Sequence, residues 1–329
     1  MSAGETARAV RRGVGLFEPR ERALLEVTGG DRVRWLEGQI SNDVASLGSG
    51  EGCYATVLTV KGRIVADLHV LAREDRFWLD TGAAAREALR QRLERYIVAD
   101  DVMLGDASDR FARLALEGPA APEVIEAVAG APVALAPESA TSIRIAGHEA
   151  VVWAWGTTGL PAFQLLVPPG GAPMVRDAIA AAGEPHGLLV AGDDVREVLR
   201  VESGVPALGS ELDGEVFPAE ARLDRAISTT KGCYTGQEIV ERIRSRGQVN
   251  YLLVGLRFEG AAPPPGTDLV AADGKRVGEV TSVATSALAG AIGLGYLRRE
   301  LDSPSTELRA GEATARVAGL PIVDEAAAA

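Results

Sequence analysis

The sequence predicts an α+β fold, with antiparallel sheets and packed helices, followed by a small C-terminal antiparallel β-barrel. Over the first two-thirds of the chain, strand-like runs occur in groups that helical patterns separate. After residue 250, short strand-like segments follow one another without a long helical pattern. The 329 residues are 47% hydrophobic and 24% charged, which is typical of a globular protein with two or three domains.

The first group of predicted elements lies between residues 23 and 99. Residues 23–29 read as a strand, and Asp31 then caps a helix. Lys61 and Gly62 join two β-rich runs as a hairpin, a third strand covers 76–81, and an amphipathic helix follows. The predicted core positions of the two helices are Val33, Leu36, Ile40, Leu89, Leu93, Tyr96 and Ile97.

The second group continues to residue 204. A strand at 111–118 precedes a short helix opened by Pro122, and a hairpin and a strand follow at 142–156 and 163–168. Two further helices are predicted. One ends at Gly183 in a left-handed cap, and the other begins at a capping box of Asp194 and Glu197.

The character of the sequence changes near residue 248. Gly-rich strand patterns and the linker AAPPPG replace the helical patterns there. We therefore expect a first region at 1–247, with two intertwined subdomains, and a barrel domain at 248–329. The predicted barrel strands lie in 251–260, 268–286, 291–299 and 306–319.

The segment KGCYTGQEIVERIRSRG, residues 231–247, contains one of only two cysteines. Thr235 and Glu238 form the S/T-x-x-E pattern of a capping box, so a helix is predicted directly after Cys233. The positive end of that helix, together with Lys231, favours a thiolate at Cys233. The alternative is an inert cysteine buried beside Tyr234.

Composition excludes several classes of protein. With 46 acidic and 34 basic residues the net charge is −12, which argues against general binding of nucleic acids or anionic membranes. No apolar run is long enough for a signal peptide or a membrane span. The two cysteines and three scattered histidines make neither a disulfide framework nor a metal site. We therefore expect a cytoplasmic protein without a resident metal.

The octapeptide KGCYTGQE resembles the signature of the YgfZ family of folate-binding proteins, relatives of the glycine-cleavage T-protein (aminomethyltransferase). Other segments resemble the T-protein itself: KGRIVADL at 61–68, VLRVESG at 198–204, GKRVGEVTS at 274–282 and IGLGYL at 292–297. The resemblance implies a T-protein-like folate-binding region and a barrel around a channel, with tetrahydrofolate or a derivative as the cofactor.

The resemblance also implies site residues. Asp67 matches the second aspartate of the T-protein pair, which acts near the folate N5, while Ala66 replaces the first. Glu202 matches the glutamate that binds the pterin, whose donors a carboxylate accepts. Read without the family, Asp67 is a solvated strand carboxylate and Glu202 forms a surface salt bridge. Within the octapeptide region, Cys233 is expected to be catalytic and Tyr234 to bind folate, supported by Lys231, Gly232, Gly236, Gln237, Glu238 and Arg242.

Some positions depart from the families. Thr157 stands where the T-protein has a tyrosine, and Arg22 and Arg196 align with folate-stacking tryptophans of some YgfZ proteins. Pterin packing must therefore differ from theirs. Trp153 or Trp155 is available to compensate, or both belong to the core.

Three functions follow as alternatives. The YgfZ resemblance implies a folate-dependent accessory protein in the assembly or repair of iron–sulfur clusters, with client enzymes or cluster-assembly proteins as partners and a link to tRNA modification. Two cysteines cannot hold a conventional cluster, so a transient role of one thiol is expected. The second alternative is a true aminomethyltransferase or a related one-carbon enzyme, against which Ala66, Thr157 and Cys233 weigh. The third is tRNA binding through Arg242, Arg244 and Arg246, which equally suit the glutamate tail of folate.

Overall fold

The structure is a computed structural model that describes residues 1–247 and 249–324, apart from the side chain of Arg246. The helices in this part of the chain are α1 (Ala3–Val10), α2 (Arg32–Glu37), α3 (Arg86–Glu94), α4 (Ala121–Ala129), α5 (Ala172–Gly183), α6 (Asp193–Ser203) and α7 (Gln237–Arg246). The strands before the barrel are β1 (Val14–Phe17), β2 (Arg22–Thr28), β3 (Gly52–Leu58), β4 (Ile64–Ala72), β5 (Arg76–Gly82), β6 (Met103–Asp106), β7 (Ala112–Glu117), β8 (Ala140–Ile145), β9 (His148–Trp153), β10 (Ala162–Val167) and β11 (Leu188–Val190). The barrel strands are β12 (Tyr251–Glu259), β13 (Asp268–Val270), β14 (Arg276–Ser286), β15 (Gly290–Arg298), β16 (Glu307–Ala310) and β17 (Ala313–Ala318).

The first sheet has the order β3-β4-β5-β2-β6, with antiparallel neighbours throughout. Because side chains alternate along a strand, its two faces differ. Ala66, Leu68 and Val70 of β4 belong to the core that also contains residues of α2 and α3. Asp67 and His69 lie on the opposite face, so this sheet has one apolar and one partly polar surface.

The second sheet has the order β11-β1-β7-β10-β9-β8 and contains one parallel pair, β1 with β11. One face packs with residues of α4 and α5. The other face meets the first sheet in a cluster that includes Leu71 and Trp78 from the first sheet and Val151, Trp153 and Leu166 from the second. The polar face of the first sheet is therefore enclosed between two sheets.

The C-terminal strands form a closed barrel in the order β12-β15-β14-β13-β16-β17. Its first strand begins at Tyr251, and its interior is apolar, with Leu256, Leu269, Val280 and Leu297 buried. The predicted α+β fold with a C-terminal antiparallel barrel is confirmed. The division into domains at residue 248 stays a prediction.

Four predicted helix caps are wrong. Asp31 is the N-cap residue of α2, but its side chain makes no cap hydrogen bond. Helix α7 begins at Gln237, and its N-cap is Gly236 at φ 87°, with no side-chain cap bond, so Thr235 and Glu238 form no capping box. Helix α6 is preceded by Gly192, also without a side-chain cap. Helix α5 includes Gly183, and the left-handed glycine is Gly187, after one more turn. Gly236 and Gly187 supply turns in the left-handed region, which favours glycine, whereas Gly192 has extended backbone.

Candidate functional site

A cavity of about 190 Å³ lies on the polar face of the first sheet, beside the N-terminal half of α6 and the loop that follows this helix. A second cavity of about 520 Å³ adjoins it, because Tyr54, Gly156, Val205, Pro206 and Arg225 line both. Together they fall in the range of small-molecule sites, roughly 300–1,000 Å³. The first cavity is lined by Glu21, Arg22, Tyr54, Asp67, His69, Gly82, Gly156, Thr157, Asp193, Arg196, Glu197, Arg200, Val205, Pro206, Ala207, Leu208 and Arg225.

Asp67 is the predicted folate residue that the structure places on the cavity wall. It lies on β4, and its Oδ2 accepts a hydrogen bond of 2.9 Å from the Tyr54 hydroxyl on β3. Burial, and then the neighbouring Asp67 carboxylate, raise the pKa of Tyr54 well above its ordinary value. The phenol therefore stays protonated and remains a donor to Asp67. A carboxylate accepts several hydrogen bonds, so Asp67 can serve Tyr54 and a ligand together.

Arg22 supplies a fixed positive charge at the same wall. Its Nε donates to Oδ1 of the fully buried Asp80 at 2.7 Å, and Arg113 also pairs with Asp80. Burial alone would lower the pKa of Arg22, but the carboxylates of Asp80 and Asp67 outweigh it and raise the pKa. The guanidinium lies 4.8 Å from the ring centre of Trp155, a cation–π distance. Charge is thus held beside an aromatic ring.

The other departures from the families also lie at the cavity. Arg196 donates to the Thr157 hydroxyl at 2.8 Å, and both residues line the first cavity. Both Trp153 and Trp155 belong to the buried cluster between the sheets, and Trp155 also lines the second cavity. Of the two, Trp155 is therefore the one placed to contact a ligand.

Ala66 was expected to weigh against a transferase site, but the structure places it outside the cavity. It is fully buried in the apolar core on the far side of the first sheet, because it alternates with Asp67 along β4. An alanine at this position fits that core, and its replacement of an aspartate does not alter the cavity wall.

Glu202, the predicted pterin residue, lines neither cavity, and its contact with a pterin stays a prediction. Its side chain is fully buried, its Oε2 lies 2.5 Å from Nε of Arg11, and its Oε1 accepts a 2.5 Å hydrogen bond from Ser286. These partners come from the segment after α1 and from β14, and no sequence pattern predicts that either lies beside Glu202. One turn earlier on α6, Glu197 does line the cavity and accepts hydrogen bonds from Arg200.

Lys231 ties the KGCYTGQE loop to the first region. Its Nζ donates to the carbonyl oxygens of Glu37, Ile40 and Asn42 at 2.7, 2.9 and 2.8 Å and lies 3.2 Å from the Glu37 carboxylate. Burial lowers the pKa of this amine, an effect that Glu37 opposes. The side chain is fully buried in these contacts, so Lys231 anchors the loop instead of activating the thiol of Cys233.

The remaining octapeptide residues do not line either cavity. Cys233 is exposed, several residues before α7. Tyr234 packs among Leu58, Val240 and other apolar residues, and its buried hydroxyl has no hydrogen-bond partner in the described part of the chain. Burial raises the pKa of Tyr234 to about 12. The side chain of Tyr234 thus belongs to an apolar cluster away from both cavities, and its predicted contact with folate stays a prediction.

The glycines of the octapeptide and the start of α7 have structural roles. A Cβ on Gly236 would lie 2.7 Å from the Thr59 carbonyl oxygen, whereas one on Gly232 would meet nothing within 4 Å. Gln237 opens the helix, and the exposed Glu238 accepts from Arg242 at 2.8 Å.

Arg242 and Arg244 lie on a solvent-exposed face of α7. Arg244 pairs with Glu241 at 3.0 Å, as Arg242 does with Glu238, so neither guanidinium is free of a carboxylate. The side chain of Arg246 lies outside the described residues.

Sequence reasoning did not assign His69, Glu197, Arg200 or Arg225 to the site. His69 was detectable, since Asp67 and His69 are two residues apart on a predicted strand and therefore share a face. Arg200 and Arg225 had no such signal, because only the packing of α6 and of the loop before Cys233 brings them to the cavity.

Within residues 1–247 and 249–324, no helix is long and apolar enough to cross a bilayer. The same residues contain no group of three or more histidine, cysteine or acidic side chains placed to hold a metal ion.

Comparisons with known proteins agree with the fold. Residues 2–231 match the GCVT N-terminal domain, and residues 252–324 match the glycine cleavage T-protein C-terminal barrel domain. The aminomethyltransferase of Rubrobacter xylanophilus is 34% identical over 318 residues, which are 95% of this chain and 84% of that protein. The aminomethyltransferase of Frankia alni is 34% identical over 307 residues, 92% of this chain and 83% of that protein.

A solved structure shows the same architecture. The crystal structure of the glycine cleavage system aminomethyltransferase T from Bartonella henselae has a TM-score of 0.87 at 24% identity, covering 98% of this chain and 90% of that one. The two domain matches and the aminomethyltransferase relatives confirm the predicted relationship to the T-protein. The chain belongs to the glycine cleavage T-protein (aminomethyltransferase) family.

Proposed function

We propose that the protein binds a reduced folate, such as tetrahydrofolate, in the two adjoining cavities and transfers a one-carbon unit, as an aminomethyltransferase. The observation that carries the proposal is the Asp67 carboxylate at the cavity wall, held by the Tyr54 hydroxyl at 2.9 Å. The full-length relatives named aminomethyltransferase support the same activity. The position of Ala66 in the core removes one of the arguments against it.

The residues present fit a folate. The cavity wall offers the carboxylates Asp67 and Glu197 to the donors of a pterin edge. One buried N–H group on the wall of the second cavity, Nε1 of Trp155, has no hydrogen-bond acceptor in the described part of the chain. Unpaired buried donors cost free energy, which a ligand carrying acceptors would recover.

When a folate is bound, residues of this chain would have the following roles. When bound, tetrahydrofolate supplies amine nitrogens that hold a one-carbon unit. Asp67 would fix the ligand and balance positive charge that develops on a reacting nitrogen. Tyr54 keeps Asp67 in place as a donor, and the wall between the sheets, with Trp155 and Leu208, limits the access of water.

The test is a transfer assay with a lipoyl carrier protein that bears the aminomethyl group. With tetrahydrofolate added, methylene-tetrahydrofolate and ammonia should form at enzymatic turnover, and Asp67→Asn should lower the rate at least tenfold. Asp224→Asn, which changes an exposed aspartate outside the first cavity, is the matched control and should keep the rate. The absence of turnover with a folate-saturated wild-type protein would reject the transferase.

A second candidate is favoured by one observation, the exposed thiol of Cys233 in KGCYTGQE. It is the YgfZ-type accessory role in iron–sulfur cluster assembly or repair and, through it, in tRNA modification, with iron–sulfur enzymes or cluster-assembly proteins as partners. A transient contact through one exposed thiol needs no resident cluster. In a strain that lacks the gene, the wild type and Cys53→Ser should restore iron–sulfur enzyme activities and Cys233→Ser should not. Full restoration by Cys233→Ser would reject this role.

A further inference from the structure

His69 and Asp67 lie on the same face of β4, two residues apart, and both line the first cavity. His69 is opposite Tyr54 on β3 and opposite Asp80 on β5. It is 4% exposed, so its ring belongs to the wall between the two sheets. A histidine at this position brings a proton-transferring group to the same surface as the proposed folate residue.

The ring is held by a carboxylate. Nδ1 of His69 lies 2.8 Å from Oε2 of Glu138, whose side chain is 12% exposed. Glu138 itself occupies the left-handed region at φ 65°, which costs a non-glycine residue free energy. Its backbone is fixed there because its N–H donates to the Ala154 carbonyl at 2.8 Å and its carbonyl accepts from Trp153 Nε1 at 2.9 Å. The chain therefore keeps a carboxylate on His69 at a position that glycine would occupy without strain.

Aromatic contacts fix the orientation of the imidazole. The ring stacks on Trp155 with centres 3.7 Å apart and planes 14° from parallel, and the Tyr54 ring centre is 4.9 Å away. Among the described residues the imidazole of His69 makes no other hydrogen bond, so Nε2 is left for a ligand in the cavity that His69 lines. A histidine with one nitrogen on a carboxylate and the other toward a ligand space has the arrangement of a general base with its orienting group.

We propose that His69, positioned by Glu138, carries a proton in the cavity during one-carbon transfer. The inference rests on the proposed function and adds these two residues to it. When a folate amine displaces a carrier thiol or ammonia from an aminomethyl carbon, a C–N bond forms, a C–S or C–N bond breaks, and the amine loses its proton. Nε2 takes that proton and returns it to the departing thiolate or amine, so the step is balanced without an oxidant or a reductant.

The first test is spectroscopic and needs no turnover. The protein has three histidines, so nitrogen-15 histidine labelling gives few signals, and His69→Gln identifies the one from His69. The neutral ring should carry its proton on Nδ1, toward Glu138, and its Nε2 signal should move when tetrahydrofolate is added. A ring protonated on Nε2 when neutral, or an Nε2 signal that stays unchanged when folate saturates the protein, would overturn the proposal.

The second test separates proton transfer from binding. His69→Gln should reduce the transfer rate about 100-fold or more, the usual contribution of a general acid–base group, and keep folate affinity within about threefold. Glu138→Gln keeps an acceptor for Nδ1, so it should retain the Nδ1–H form and lose less of the transfer rate. His186→Gln, a change outside the cavity, should leave the transfer rate and the folate affinity unchanged. If His69→Gln binds folate and transfers at the wild-type rate, the inference about His69 is refuted and the proposed function is not. If the wild-type protein does not bind folate, the proposed function is refuted and the inference with it. Should His69→Gln fail to fold, His148→Gln and His186→Gln assign the His69 signal by elimination, and the wild-type spectrum and Glu138→Gln still decide.

Discussion

Nε of Arg11 lies 2.5 Å from Oε2 of Glu202, and both side chains are almost completely buried. The Ser286 hydroxyl donates to the other carboxylate oxygen, so one glutamate joins the end of α1, helix α6 and barrel strand β14. The backbone carbonyl of Glu202 also accepts from Ile322 and Val323. The L-R-x-E segment therefore acts here as a structural junction between the first region and the barrel.

Glu202→Ala should destabilise the fold without a direct effect on folate contacts. Removing one partner of a buried ion pair leaves Arg11 uncompensated, which costs about 3–5 kcal/mol. Urea unfolding measures this loss. Glu238→Ala, which breaks the exposed pair with Arg242, is the control and should change stability by less than about 0.5 kcal/mol. Equal stabilities of the two variants would contradict the structural role.

Gly236→Ala should destabilise the protein, and Gly232→Ala should not. Gly236 has φ 87°, and a Cβ there would meet the Thr59 carbonyl oxygen of the hairpin turn. Strain and close contact together should cost more than about 1 kcal/mol. Gly232 has open space around it and lies in the same octapeptide, so it is the matched control for thermal unfolding. A tolerated alanine at 236 would show that the helix start differs from the one described.

Tyr234→Phe should leave stability unchanged or raise it slightly. The hydroxyl is buried without a partner, and burying an unsatisfied polar group costs about 1–3 kcal/mol on protein scales, a cost that phenylalanine avoids. Chemical denaturation measures the change, with Tyr54→Phe as a contrast because it removes the donor to Asp67. A destabilisation by Tyr234→Phe larger than that by Tyr54→Phe would mean that the Tyr234 hydroxyl has a partner.

The two cysteines should differ in reactivity and in their effect on alkaline stability. Cys233 is exposed and should react with iodoacetamide in the folded protein. Burial, and then Glu138, raise the pKa of Cys53 from its ordinary value of 9.0 to about 12, so this thiol should react only on unfolding. Peptide mass mapping after brief alkylation tests both statements, and faster labelling of Cys53 would contradict them.

The raised pKa of Cys53 also predicts the direction in which the stability of the fold changes with pH. The folded state holds the Cys53 proton more tightly than the unfolded state, so its contribution to stability is complete below about pH 9 and is lost as pH rises toward 12. Cys53→Ala should flatten that loss, although Tyr234, whose pKa is also about 12, keeps part of it. Urea midpoints measured at about pH 8 and about pH 11 test this. An unchanged slope in Cys53→Ala would contradict the assignment.

The sequence predicted the fold well because hydrophobic periodicity and turn residues mark local elements directly. The hairpin at Lys61 and Gly62 and the barrel after residue 250 are examples. The site was predicted in part. The family resemblance predicted Asp67, which lines the first cavity, whereas the buried partner of Glu202, Arg11, is 191 residues away and no local pattern pairs the two. The S-x-x-E pattern of Ser2 and Glu5, a capping box in the structure, is the sequence signal for α1.

Glu138 could not be predicted as a partner of His69 for a different reason. It lies in an Ala/Pro-rich connector whose composition predicts only a loop, and its left-handed backbone and its contact with His69 depend on the packing of β8 and β9 around it. The role of such a residue can be identified only from the tertiary structure, in which the two sheets pack together. The same holds for Arg225, whose guanidinium lies 4.5 Å from the Tyr54 ring centre.

Calorimetric titration with tetrahydrofolate tests the central claim most directly. The wild type should bind saturably, and Asp67→Asn should bind about tenfold or more weakly, since a hydrogen bond to a charged group contributes about 1.5–3 kcal/mol. Tyr234→Phe, a change outside both cavities, should bind like the wild type. The absence of saturable binding by the wild type, or an equal loss of affinity in Asp67→Asn and Tyr234→Phe, would contradict a folate site at Asp67.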